Sequence, residues 1–184
     1  MGDITVLLQR ARDGDQGAWD DVVALIYHDL KHIARRVIGR SGSATFNPTG
    51  LVHDCYLRLS KAGPTGVLNR DHFLALAARA MRQLMLNHAR DRLAAKRGGG
   101  AEHTEGEEIE ANAQAEDLIE LDQALRQLAG VDERMVQVVE CRVFAGLSEA
   151  ETAAALEMPL RSSQRLYAAA REQLAQILTD AKSS

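Results

Sequence analysis

Aromatic residues are scarce in this chain, at 4% of 184 residues, and proline occurs only three times and cysteine twice. Few aromatics and almost no alternation of apolar with polar positions argue against sandwiches and barrels, whose strands draw on aromatic and β-branched side chains. So few prolines leave room for long uninterrupted helices. Cys55 and Cys141 lie far apart inside amphipathic patterns, so they make no disulfide scaffold and read as small buried thiols. No apolar run approaches the ~18 residues of a membrane helix, and no secretory leader is recognisable at Met1. A cytoplasmic protein is expected.

What the chain does have is helical periodicity, with 46% hydrophobic residues to build a core. The fold class this implies is all-α. A first helix is expected over residues 3 to 12, broken at Asp13-Gly14-Asp15. A longer one carries Trp19, Val22, Val23, Ile26, Leu30, Ile33 and Val37, spaced to make one apolar stripe, and stops near Gly39. Ser41 to Phe46 reads as a loop. Asn47-Pro48 then reads as a helix start, with Asn as cap and Pro at the first helical position, where its missing N–H costs nothing. That helix, to about Lys61, buries Leu51, Val52, Cys55 and Leu59. After Gly63-Pro64-Thr65-Gly66 comes another helix from about Asp71. Residues 98 to 115 read as a flexible acidic linker, and residues 116 to 180 as further helices, near 116–129, 132–145, 148–156 and 160–178.

The formal charge is −4, but it is unevenly placed. Residues 1–97 hold 15 Lys and Arg against 9 Asp and Glu, residues 98–117 hold seven acids and no base, and residues 118–184 hold 7 bases against 10 acids. A low average therefore hides a basic first half. Within it, Arg79, Arg82, Arg90, Arg92, Lys96 and Arg97 face a single acid, Asp91, on one helix ending at Gly98-Gly99-Gly100. Such a rod suits a polyanion. Near the other end, Ser148 and Glu151 have the spacing of a capping box. Ala153, Ala154 and Ala155 permit close helix approach, and a following helix presents Arg161, Ser162, Gln164 and Arg165. This is the pattern of a helix-turn-helix whose second helix enters the major groove.

These segments, with Leu51-Val52-His53-Asp54-Cys55-Tyr56-Leu57-Arg58-Leu59, His72-Phe73-Leu74-Ala75-Leu76-Ala77-Ala78-Arg79-Ala80-Met81-Arg82, His88-Ala89-Arg90 and Ala95-Lys96-Arg97-Gly98-Gly99, resemble bacterial RNA polymerase sigma factors of the extracytoplasmic-function (ECF) type over nearly the whole chain. The resemblance implies that residues 1–97 bind the clamp helices of core RNA polymerase and melt and read the start-proximal promoter element, and that residues 116–180 read the upstream element. Residues 98–115 would lie in polymerase channels as an acidic tether. Polymerase contacts would fall on Thr49, Leu51, Val52, Asp54, Tyr56 and Arg58. DNA backbone contacts would fall on Arg79, Arg82, Arg90, Arg92, Lys96 and Arg97, and base or sugar contacts on His72, Asn87 and His88. Upstream reading would fall on Arg161, Ser162, Gln164 and Arg165, and the loop from Pro64 to Asn69 would receive an extruded base. The protein would lend specificity to an enzyme without being one.

The chain departs from that family where carboxylates usually precede the Leu-Val pair. Asn47, Pro48, Thr49 and Gly50 carry no charge, which points to a particular subgroup and to a missing anion. Phosphorylation of Thr49 by a Ser/Thr kinase would restore one at a helix N-terminus, with Thr45 and Ser43 as neighbouring acceptors. An anti-sigma factor is the other expected regulator. Glu157, Pro159 and Ser163 also depart from the usual upstream-reading pattern, standing for a glycine, a capping serine and an apolar residue. No cofactor is expected. His28 and His32 have i, i+4 spacing without a third ligand, Cys55 and His53 lie on different faces, and Gly98 to Gly100 opens no helix. Two other functions fit the motifs taken singly: a one-component helix-turn-helix repressor binding a two-fold operator, and a helical adaptor that binds no DNA. Whether the two halves pack together is not written in the sequence.

Overall fold

The computed structural model describes residues 2–38, 47–64, 66–67, 69–98 and 105–183; some side chains within these ranges, those of Lys96 and Arg97 among them, lie outside the description. Among the described residues every regular element is helical. Helix α1 (Gly2–Arg12) ends where Gly14 takes φ +99°, and Asp15 starts α2 (Gln16–Ile38) by accepting from the Ala18 N–H at 3.2 Å. The expected stripe on α2 is the core: Val22, Val23, Ile26, Leu30 and Ile33 are buried, and the Trp19 indole donates to the Leu59 carbonyl at 3.2 Å.

Helix α3 (Pro48–Ala62) begins as its sequence dictates, the Asn47 side chain accepting from the Thr49 N–H at 3.0 Å with Pro48 in the first turn. The connection to α4 is held by Arg12, which donates to the Val67 carbonyl. Asn69 opens α4 (Arg70–Gly98) by accepting from the His72 N–H at 2.8 Å. Phe73 then anchors that helix, fully buried and edge-on to Trp19 with ring centroids 5.7 Å apart.

Helix α5 (Glu105–Val131) overturns one expectation. Residues 105–115, read as part of a flexible tether, are its opening turns. Ala111 and Ala115, one turn apart, are buried, and the surrounding glutamates are good helix formers, so the segment docks on small side chains that leave little hydrophobic signal. The remainder of that expected tether, residues 99–104, lies outside the described residues, as do the loop expected at 41–46 and the acceptors Ser43 and Thr45.

The helix expected over 132–145 is two elements: α6 (Glu133–Val139), capped by Asp132, and a π-helical segment (Glu140–Ala145), ended by Gly146 in the left-handed region at φ +71°. Helix α7 (Glu149–Ala155) carries the full capping box, Ser148 Oγ accepting from the Glu151 N–H at 3.2 Å and Glu151 accepting from the Ser148 N–H at 2.7 Å. A four-residue turn leads to α8 (Leu160–Ser183).

One apolar cluster runs through both halves of the chain, from Leu8 and Trp19 through Phe73, Met81 and Met85 to Leu125, Leu128, Val139, Phe144, Leu147 and Ala170. Burial of each large side chain stabilises by about 1.5–3 kcal/mol. Helix α4 is its axis, packed by α2 and α3 on one side and by α5, the π segment and α7 on the other.

Candidate polymerase and nucleic-acid interface

On α3 the candidate residues divide by depth. Leu51 and Val52 point into the core, at 6% and 0% exposure, so in this conformation they hold the helix and offer nothing to a partner. Thr49 and Arg58 are exposed, and Asp54 and Tyr56 half-buried. Asp54 lies 3.8 Å from the His88 imidazole of α4, which joins the two candidate surfaces. The first turn of α3 contains no acid.

The basic stripe of α4 is divided more sharply. Arg79, Asn87, His88 and Arg90 are exposed, Arg92 half-buried, and Arg82 buried at 8% exposure. The Arg82 guanidinium donates to Glu140 Oε1 through Nη2 at 2.6 Å and Nε at 3.2 Å, and to Asp122 Oδ1 through Nη1 at 2.9 Å. Both acids are buried as well, Glu140 at 4% and Asp122 at 6%. The second Asp122 oxygen accepts from Arg90 at 3.2 Å and Arg126 at 2.8 Å, and Arg92 donates to Asn112 at 3.3 Å. An open cleft of about 200 Å³ lies over this cluster, with Arg79, Gln83, Glu133 and Gln137 at its walls.

On α8, Arg161, Gln164 and Arg165 are exposed and Ser162 half-buried, so the early turns present a polar face. Gln164 donates to Glu149 of α7 at 2.6 Å, and the Tyr167 ring receives Arg142 and Arg171 with guanidinium carbons 5.4 and 5.9 Å from its centre. Ser163 is buried at 2% where an apolar residue was anticipated.

Glu157 occupies the turn before α8 at φ +50°, a conformation that costs a non-glycine residue about 1–2 kcal/mol. Its carboxylate is also felt by His72 near the start of α4, whose pKa is lowered by burial and partly restored by Glu157. The unfolded chain therefore takes up the His72 proton more readily than the folded one. That stability is fully present above the ordinary histidine pKa and shrinks as pH falls through about 6.5 toward the lower folded value. Glu157→Gly is expected to raise stability by about 0.5–1 kcal/mol, since relief of strain exceeds the added freedom of the unfolded glycine. It should also lower the His72 pKa further. Thermal melting and an imidazole NMR titration check the two parts; an unchanged titration would separate Glu157 from His72.

Other candidate chemistry is absent among the described residues. Both thiols are pushed up to about 12, chiefly by burial, and so stay protonated. His28 and His32 stack with Nε2 atoms 3.0 Å apart, but no group of three or more His, Cys, Asp or Glu gathers around a metal position. None of the described helices is long and apolar enough to cross a membrane.

A family model described as ECF sigma factor matches residues 1–180. The chain belongs to the ECF sigma factors. It is thus a sigma factor that works with core RNA polymerase and promoter DNA in transcription initiation. No curated protein matches the chain. Among solved structures, CnrH in complex with the cytosolic domain of CnrY is 21% identical, covers 97% of this chain and 98% of that one, and has a TM-score of 0.41.

Sequence reasoning missed Asp122, Glu140 and Asn112 as partners of this sigma factor's basic stripe. A signal existed for the two acids. Asp122 interrupts the apolar spacing of Leu118, Leu121, Leu125 and Leu128, and Glu140 stands inside the run Val138-Val139-Glu140-Cys141. A lone charge on a buried face requires an opposite charge from elsewhere in the fold.

Proposed function

We propose that the first half of this sigma factor, through residue 97, binds the polymerase clamp and opens the start-proximal promoter element, that residues 116–180 read the upstream element, and that phosphorylation of Thr49 switches polymerase binding on. Arg79, Arg82, Arg90, Arg92, Lys96 and Arg97 would hold phosphates, His72, Asn87 and His88 would meet bases or sugars, and Arg161, Ser162, Gln164 and Arg165 would read the duplex. Family membership supports the division of labour.

The observation that carries the switch is the first turn of α3, which bears an exposed hydroxyl at Thr49 and no carboxylate. A phosphate there adds about −1.5 to −2 charge where the helix dipole favours an anion, beside the exposed Arg58-bearing surface of the same helix. Close charge pairs across an interface contribute about 1.5 kcal/mol or more each, which is on the order of tenfold in affinity. Purified chain phosphorylated at Thr49 is therefore expected to bind bacterial core RNA polymerase at least ~10-fold more tightly than the unmodified chain. Equal binding by both, or full transcriptional activity of Thr49→Ala in cells, would remove the switch. Binding by neither would remove the polymerase assignment.

A further inference from the structure

We propose that the free chain carries an internal competitor for its own nucleic-acid face: Asp122 and Glu140 hold Arg82 and Arg90 as backbone phosphates would, and nucleic acid gains α4 only when the seam against α5 and the π segment parts. This rests on the assignment of α4 as the DNA-melting helix.

The geometry carries the argument. Arg82 makes three charge-assisted bonds, at 2.6, 2.9 and 3.2 Å, to two carboxylates on different elements, which places acceptor oxygens along both edges of its guanidinium. A phosphate diester presents two such oxygens to the same fork. Arg90 and Arg92 turn to α5 as well, at Asp122 and Asn112. Three of the stripe's cations are thus engaged by the second half of the chain, so DNA and α5 compete for one surface.

The seam is also suited to opening. Its centre is ionic, and a buried ion cluster adds less net stability than apolar side chains of equal volume, because desolvation offsets the attraction. A further contact is unfavourable: Asp71 of α4 and Glu151 of α7 repel, which together with burial raises the Asp71 pKa. When the halves part, every charge in the cluster regains water, and the arginines regain phosphate.

The test uses the full chain and a bubble duplex of arbitrary sequence, since phosphate contacts need no promoter. Asp122→Asn with Glu140→Gln is expected to enlarge the radius of gyration in solution scattering and to tighten bubble binding at least tenfold. Glu116→Gln with Asp117→Asn changes the charge equally at exposed positions of α5 and is expected to tighten binding less than twofold. Equal gains in the two variants would reduce the effect to net charge and overturn the proposal, as would a larger radius with no gain in affinity. Should the seam variant lose helical content, wild-type hydrogen exchange decides. Bubble DNA is expected to deprotect α5 and the π segment, and unchanged protection at saturating DNA overturns the competitor. A chain that gains DNA affinity on opening yet never binds core polymerase would instead overturn the polymerase assignment.

Discussion

Arg82→Ala is expected to remove about 3–5 kcal/mol from the packed chain, because it leaves a buried carboxylate without its counter-charge. The loss falls unequally on the two acids. Asp122 keeps Arg90 and Arg126, at 3.2 and 2.8 Å, whereas the bonds described for Glu140, at 4% exposure, both come from Arg82. Adding Glu140→Leu to Arg82→Ala should therefore return most of the stability, and the coupling energy of that double-mutant cycle measures the pair. Arg82→Lys should fall between, since a single ammonium cannot bond the two carboxylates in the fork that guanidinium offers. Urea denaturation followed at Trp19 and by helical circular dichroism checks all three. A loss below about 1 kcal/mol for Arg82→Ala would put the cluster in the range of a surface pair.

Phe73→Ala is expected to cost a comparable 3–5 kcal/mol. The ring is fully buried and edge-on to Trp19, in the first turns of α4, where α2 and α3 meet that helix. Removing it opens a cavity beside Trp19 and takes away the aromatic pair, itself worth about 0.5–1.5 kcal/mol. Phe73→Leu keeps most of the volume and should cost clearly less. The lowered midpoint should come with a red shift of Trp19 emission as water reaches the indole; a full loss of stability with no change in emission would place the damage elsewhere. Since the same turns hold Asn69 and His72, the looser helix start should also blunt any contact made by His72.

Local chemistry explains which parts of this architecture could be read without coordinates. The Asn47-Pro48 start of α3, the stripe on α2 and the capping box of Ser148 and Glu151 each lie within a few residues, and each is present in the structure. Leu51 and Val52 were legible as core from their spacing with Cys55 and Leu59, and the structure follows that spacing; their assignment to a polymerase surface came from resemblance alone. The start of α5 escaped because alanine and glutamate build a helix without an apolar stripe. The cluster around Arg82 escaped because its partners lie 40 and 58 residues away, and a pairing at that range leaves no periodic trace. A basic helix therefore read as open to solvent when its middle arginine is covered.

The π segment fixes more than a bend. Its Leu147 N–H reaches back to the Cys141 carbonyl at 2.9 Å, a wider loop than an α-turn makes, and Val138, Val139, Glu140 and Cys141 are buried in succession between neighbouring helices. A widened turn holds one residue more than an α-helix would. Deleting a single residue between Glu140 and Ala145 would let the segment close to ordinary α geometry and rotate all that follows by about 100° about the helix axis, the angle one residue subtends at 3.6 per turn. The face bearing Arg161, Gln164 and Arg165 would then turn away from its present direction with its amino acids unaltered. In this sigma factor the aim of the C-terminal helices is written as a residue count, so insertions and deletions there should be tolerated far less than substitutions.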